Sequence, residues 1–303
     1  MPNHASRVAL IGIGSNSIRL LIADGSEVLK RGEIVTRLAG YETAPTGEKL
    51  LADSAISDTI AAASSFSHRA RALGAPLIAV IATEAMRAAS NREELTTPLE
   101  RELGIPVKII SGDEEALLGW RAVASAYASA GSTIGVIDIG GGSTDISIGS
   151  PSSPRPEAVR SIKLGSRTVM QLFGLDTPID TIRLASVITT LKQELAPQVD
   201  LQPQPALAIV IGGTADVLAS ISSYASGVLY PTQDALIDRN WLQEWLESIS
   251  GLDLSERVAD GVPKDRADII VAGGAILLSL LDTWGLDEFY TSRRNILDGL
   301  LAR

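Results

Sequence analysis

The sequence predicts an α/β protein made of two related domains with a cleft between them, and three observations carry that prediction. Short β-rich runs alternate with helical stretches along the chain. One strand–turn–strand pattern occurs twice, because Ile137-Asp138-Ile139-Gly140-Gly141-Gly142-Ser143-Thr144 lies over Ile11-Gly12-Ile13-Gly14-Ser15-Asn16-Ser17-Ile18. The length, 303 residues, is long for one core and comfortable for two.

Taken in order, Val8 to Ile13 and Ile18 to Ala23 read as strands of a hairpin, joined by Gly14-Ser15-Asn16-Ser17. A third strand is expected around Glu33 to Leu38. Asp53 to Leu73 is Ala-rich, without Gly or Pro until Gly74, and reads as a long helix. Leu77 to Ala82 is a buried strand, Asn91 to Leu103 a helix ended by Gly104, and Val107 to Ile110 another strand. Ser111 to Ala128 reads as a helix opening on a capping box, in which Ser111 and Glu114 satisfy each other's backbone N–H groups. The second hairpin begins at Ile134, with Pro151 to Pro156 at its far tip. Ala208 to Ile211, then Gly212-Gly213-Thr214, reads as strand, turn and helix. Ile269 to Ala272, then Gly273-Gly274-Ala275, reads the same way. Gln198 to Pro205 is a connecting loop, and a final helix is expected near Ser292 to Leu301. The pattern places one domain at 1–130 and a second at 131–289.

Composition narrows the function. The net charge of −10 speaks against non-specific binding to nucleic acid or to a membrane surface. A polyanionic ligand would therefore need clustered Arg and Lys, a bound cation or aimed backbone N–H groups. There is no cysteine, so disulfides and thiolate metal sites are excluded, which fits a reducing compartment. Met1 to Arg7 lacks the order of a secretory signal, and Ile269 to Leu281 is too short to span a bilayer. The expectation is a cytoplasmic protein.

The glycine turns are the first candidates for chemistry. Gly140, Gly141 and Gly142 with Ser143 and Thr144 exceed what a tight hairpin demands, and successive N–H groups there can form an anion site. Gly14, Ser15, Asn16 and Ser17 form the twin loop. Asp138 ends the strand beside the glycines; it either holds a divalent cation or caps nearby N–H groups. Asp145 is either a second carboxylate there or, more simply, a solvent-facing strand residue. Glu114 is occupied by the capping box, which leaves Glu115 as a carboxylate able to orient a water. The competing reading is an acidic residue favoured by the helix dipole. Arg87, at a strand-to-helix corner, can clamp a phosphoryl group or pair with Glu84 or Glu93. Arg19 follows the first loop and can serve similarly. His4 and His68 belong to no constellation.

In order along the chain, Gly14-Ser15-Asn16-Ser17-Ile18-Arg19-Leu20, Ala82-Thr83-Glu84-Ala85-Met86-Arg87, Ser111-Gly112-Asp113-Glu114-Glu115-Ala116 and Asp138-Ile139-Gly140-Gly141-Gly142-Ser143-Thr144 resemble the exopolyphosphatase and guanosine pentaphosphate phosphohydrolase family. Gly212-Gly213-Thr214-Ala215 and Arg266-Ala267-Asp268 through Gly273-Gly274 continue the likeness, which runs from Val8 to Leu301. It implies two RNase H-like domains of the actin, sugar-kinase and Hsp70 type, in the short form without added helical domains. The same likeness implies that the C-terminal helix, within 290–303, returns to the first domain. Implied also are removal of terminal phosphate from inorganic polyphosphate or guanosine pentaphosphate with Mg²⁺, and a homodimer. Glu115 and Asp138 match the catalytic carboxylates, Asp138 also a metal ligand, and Arg87 and the two loops the phosphate sites. Arg19, Gly212, Gly213 and Thr214 match supporting or nucleotide-side positions.

The chain departs from the family pattern in three places. Gly12 stands where an Asp belongs, Leu297 where an Arg belongs, and Thr214-Ala215-Asp216-Val217 replaces a more usual Thr-Ala-Thr-Asn. These departures support an alternative expectation, a regulatory protein that binds polyphosphate or guanosine tetraphosphate with weak turnover or none. A relative of sugar or acetate kinases that binds ATP is the third.

Overall fold

Both copies of the strand–turn–strand pattern form antiparallel hairpins in the computed structural model, which describes residues 7–44, 47–225 and 234–302. His4 lies outside the described residues. The chain divides into two compact units, Met1–Glu115 with Ile296–Arg303, and Ala116–Asn295. That division falls ahead of Gly131, where the sequence pattern places it.

The first unit holds β1 (Arg7–Ile13), β2 (Ser17–Asp24), β3 (Glu27–Val35), a short pair β4 (Glu42–Thr43) and β5 (Lys49–Leu50), and α1 (Asp53–Ala72). β6 (Leu77–Ala82), α2 (Glu84–Ala88), α3 (Glu93–Leu103), β7 (Val107–Ile109) and the start of α4 (Gly112–Val123) follow. Its sheet runs β3-β2-β1-β6-β7, with the hairpin strands antiparallel and β6 and β7 added in parallel. Ile11, Ile13, Ile18, Leu20 and Ile22 of the hairpin pack in one core with Ala62, Ala63 and Phe66 of α1. The long run without Gly or Pro that predicts α1 thus supplies the crossover that parallel pairing of β1 and β6 requires.

A 3₁₀ turn over Ala124–Ala130 follows α4 in the second unit, so the helix expected to reach Ala128 stops early. Then come β8 (Ile134–Ile139), β9 (Thr144–Gly149), β10 (Ala158–Ile162), α5 (Ser166–Phe173), α6 (Thr181–Val199), β11 (Leu207–Ile211) and α7 (Gly213–Ala225). β12 (Ala235–Asp238), α8 (Arg239–Ser250), α9 (Leu254–Ala259), α10 (Ile270–Trp284) and β13 (Glu288–Thr291) complete it. Its sheet, β10-β9-β8-β11-β13-β12, repeats the first in a three-strand antiparallel meander followed by two parallel strands, β11 and β13, and adds β12 antiparallel to β13 at the edge. Duplication therefore extends from the turns to five strands of each sheet.

Ile269 to Ala272 is not a strand. α10 runs through both glycines and is buried from Ile270 to Leu281, so its apolar residues face the core on every side. A continuous apolar run cannot separate buried strand from buried helix by periodicity. The glycines serve packing: a β-carbon at Gly273 would lie 2.6 Å from Thr214 Oγ1, and one at Gly274 2.6 Å from Leu246 Cδ2. Among the described residues no helix is long and apolar enough to cross a membrane.

The last helix, α11 (Ile296–Leu301), belongs to the first unit and packs on β1. Arg31 of β3 holds it bidentately, donating 2.8 and 2.6 Å hydrogen bonds to the two carboxylate oxygens of Asp298.

Candidate active site

The two glycine turns share one construction. Gly14 N–H donates to the Ser17 carbonyl at 2.9 Å, and Gly140 N–H donates to the Ser143 carbonyl at 2.9 Å. Neighbouring segments tie back the turn carbonyls. In the first unit Thr36 and Arg37 N–H groups bond the Asn16 carbonyl at 3.0 and 2.9 Å, and Ala39 N–H bonds that of Ser15 at 2.8 Å. In the second, the start of α5 does the same work: Ser166 N–H reaches the Gly140 carbonyl at 2.8 Å, while Arg167 and Thr168 reach Gly141 at 2.9 and 3.2 Å. Carbonyls held on one side turn the intervening N–H groups to the other, the arrangement that favours an anion. The hydroxyls brace rather than project. Ser17 donates to Glu33 at 2.5 Å, Ser143 to Asp145 at 2.9 Å, and Thr144 to the Leu164 carbonyl at 2.6 Å.

Glu115 sits where β7 gives way to α4. The capping box forms as the sequence predicts, Glu114 N–H donating to Ser111 Oγ at 3.1 Å and Ser111 N–H to Glu114 Oε2 at 3.0 Å. Lys108 also holds Glu114 at 2.8 Å, and its hydrogen bond, with that of the Ser111 backbone, lowers the Glu114 pKa. Glu115, one position on, turns inward and is buried. Arg87 Nη1 donates to its Oε2 at 3.0 Å and to the Ile110 carbonyl at 2.6 Å, while Arg87 Nε donates to Glu84 at 3.0 Å. Burial opposes the Arg87 charge, but the Glu115 and Glu84 carboxylates outweigh it and raise the guanidinium pKa. Of the two roles that the sequence offers Arg87, pairing with Glu84 is therefore seen, and a second pairing with Glu115 accompanies it.

In the second unit Asp138 and Asp145 are directly opposed on β8 and β9, which puts both side chains on one face. Asp145 is 3% exposed, against the expectation of an ordinary strand position. Gly212 (φ +87°) leaves the room that the Asp138 carboxylate occupies, since a β-carbon there would strike Asp138 Oδ1. Two like charges opposed across a strand pair destabilise a sheet unless donors or a cation offset them. The donor set, two carboxylates beside a turn shaped for phosphate, fits Mg²⁺, which takes one or two carboxylates together with phosphate oxygens. Gly213 and Thr214 open α7, and the Arg266 guanidinium lies where a Gly213 β-carbon would be, 2.6 Å away. Nearby, Arg167 pairs with Asp268 at 3.1 Å, and fully buried Arg257 donates to the Ala267 carbonyl at 3.0 Å, fixing the segment that carries Arg266.

Arg19 donates to Glu33 at 3.2 Å, so it stands on the same carboxylate as Ser17. Arg37, which the sequence reading passes over, is exposed beside the first turn with φ +53°. A non-glycine residue held there costs on the order of 1 kcal/mol, and such strain collects at functional sites.

Gly12 and Leu297 are in contact. A β-carbon at Gly12 would lie 3.2 Å from Leu297 Cδ2, and Leu297 is buried. The two positions at which the sequence departs from the pattern expected by resemblance are thus neighbours in the fold. Gly12→Asp alone is expected to destabilise the protein by about 1–3 kcal/mol, because its carboxylate meets the Leu297 side chain. Adding Leu297→Arg should recover most of that loss; thermal melts of the single and double variants check it.

The chain matches the Ppx/GppA phosphatase family over residues 21–303. It is 26% identical to exopolyphosphatase 1 of Mycobacterium tuberculosis over 304 residues, covering 98% of this chain and 88% of that one. It is 27% identical to the guanosine-5'-triphosphate,3'-diphosphate pyrophosphatase of Vibrio vulnificus, covering 96% of this chain and 58% of that one. The crystal structure of the Aquifex aeolicus Ppx/GppA family member superposes with a TM-score of 0.76 at 25% identity, covering 98% and 96% of the two chains. The two mixed sheets and their helices are those of that α/β two-domain fold.

Proposed function

The chain belongs to the Ppx/GppA phosphatase family, and from that membership we propose that it removes terminal phosphate from inorganic polyphosphate, with guanosine pentaphosphate as a second substrate. The observation that carries this reading is Glu115: buried at the start of α4, with one carboxylate oxygen held 3.0 Å from Arg87 Nη1. A carboxylate so fixed accepts a proton from water as the water oxygen attacks the terminal phosphorus. The bridging P–O bond breaks, and orthophosphate leaves a chain one unit shorter. The Gly14–Ser17 turn and the Gly140–Thr144 turn, each within its own unit, offer backbone amides to phosphate oxygens, work that needs positioning and charge stabilisation rather than covalent chemistry. Asp138 and Asp145 would hold Mg²⁺, which supplies neutralisation of phosphate charge. That supply matters in a chain of net charge −10.

The test is phosphate release from long polyphosphate and from guanosine pentaphosphate, each with Mg²⁺ and with chelator. Release that needs Mg²⁺ and is faster from polyphosphate is the expected result. Tight binding of either compound without release would instead establish the regulatory alternative.

A further inference from the structure

Glu84 opens α2 and is 8% exposed, deep for a carboxylate at a corner between strand and helix. Its Oε2 accepts from Arg87 Nε at 3.0 Å and lies 3.0 Å from Nη2 of the same guanidinium. The opposite arm of that guanidinium, Nη1, reaches Glu115 Oε2 at 3.0 Å and the Ile110 carbonyl at 2.6 Å. A guanidinium is planar and rigid, so fixing one edge fixes the direction of the other. We infer that Glu84 is a positioning residue for phosphate release: it grips the Nε edge of Arg87, and Arg87 in turn sets the place of the Glu115 carboxylate.

This rests on the reading of Glu115 given above. The surroundings support a device built for placement. Tyr41 closes over the corner, its hydroxyl donating to the Ala85 carbonyl at 3.3 Å. Burial and the Glu84 charge raise the Tyr41 pKa, so the phenol stays protonated and serves as a neutral wall. Lys49 Nζ lies over its ring, 5.1 Å from the centre. Without Glu84, a guanidinium anchored only through Nη1 can pivot about that contact. A carboxylate that must sit within hydrogen-bond reach of a water then wanders with it.

Glu84→Gln keeps the shape and removes the charge, while Glu84→Asp keeps the charge and shortens the reach. For polyphosphate hydrolysis, Glu84→Gln is expected to lower kcat by about 10- to 100-fold with KM within about threefold of the parent, as misplacement of a reacting group does. Glu84→Asp should recover part of that loss. Parental kcat in Glu84→Gln overturns the inference, as does a fall in kcat shared equally by Gln and Asp and accompanied by an equal fall in Tm. Should the Gln variant not fold, Glu84→Asp decides alone: lowered kcat at unchanged KM upholds the inference and parental kcat overturns it. Failure of the underlying reading looks different, because then the parent releases no phosphate or Glu115→Gln retains full activity, whatever Glu84 does.

Discussion

Exchanging Glu115 for glutamine is expected to lower kcat for phosphate release by about 10²–10⁴-fold, the usual contribution of a positioned general base. That corresponds to about 3–5 kcal/mol of barrier. Glutamine keeps the size of the side chain and can still accept from Arg87 Nη1, but it cannot take a proton from water. KM should not rise: removing a negative charge beside a polyanionic chain relieves repulsion, so it holds or falls. Folding should survive, because Glu84 still neutralises Arg87 from 3.0 Å away. Steady-state kinetics together with a thermal melt separate these effects. A variant with parental kcat would remove Glu115 from the chemistry. One that lost kcat only in step with its stability would make Glu115 a structural partner of Arg87.

How legible these features were depended on how local they are. The capping box could be read from Ser111 and Glu114 because both partners lie within one helical turn, and that reading singled out Glu115. The duplicated hairpins were equally legible, since each turn carries its own small residues and closes on itself. What escaped was long-range. The approach of Gly12 to Leu297 joins β1 to the last helix, so two positions that look independent in sequence are neighbours in the fold. Asp145 read as an ordinary strand position because it alternates with Ile146 and Ile148 as a solvent-facing residue does, whereas β9 is buried on both faces, which the alternation does not announce. The Gly273-Gly274 pair imitated a strand end, and only the approach of Thr214 and Leu246 explains it. Glu84 was visible merely as a surface partner for Arg87, since nothing in sequence announces burial at a corner.

Replacing Gly165 by alanine is expected to dismantle the second turn with a single methyl group. The Gly165 backbone is ordinary extended chain, φ −107° and ψ 171°, so alanine is not excluded by torsion. Space excludes it. The added carbon would lie 2.5 Å from both Gly141 C and Gly142 N and 2.6 Å from the Gly141 carbonyl oxygen, all backbone atoms without a rotamer to change. Either α5 retreats or the turn moves, and each course breaks the bonds from Ser166 and Arg167 to the Gly140 and Gly141 carbonyls, now 2.8 and 2.9 Å. Once those carbonyls are released, the amides of the turn lose their common direction. The expected result is a loss of about 10²-fold in kcat/KM, as removal of preorganised donors produces, with overpacking costing about 1–3 kcal/mol in stability. Gly119→Ala is the matched control, because its new carbon meets only the flexible end of Ile211, at 3.2 Å. If Gly165→Ala kept parental kcat/KM while Gly119→Ala behaved likewise, phosphate would not be bound by the amides of this turn.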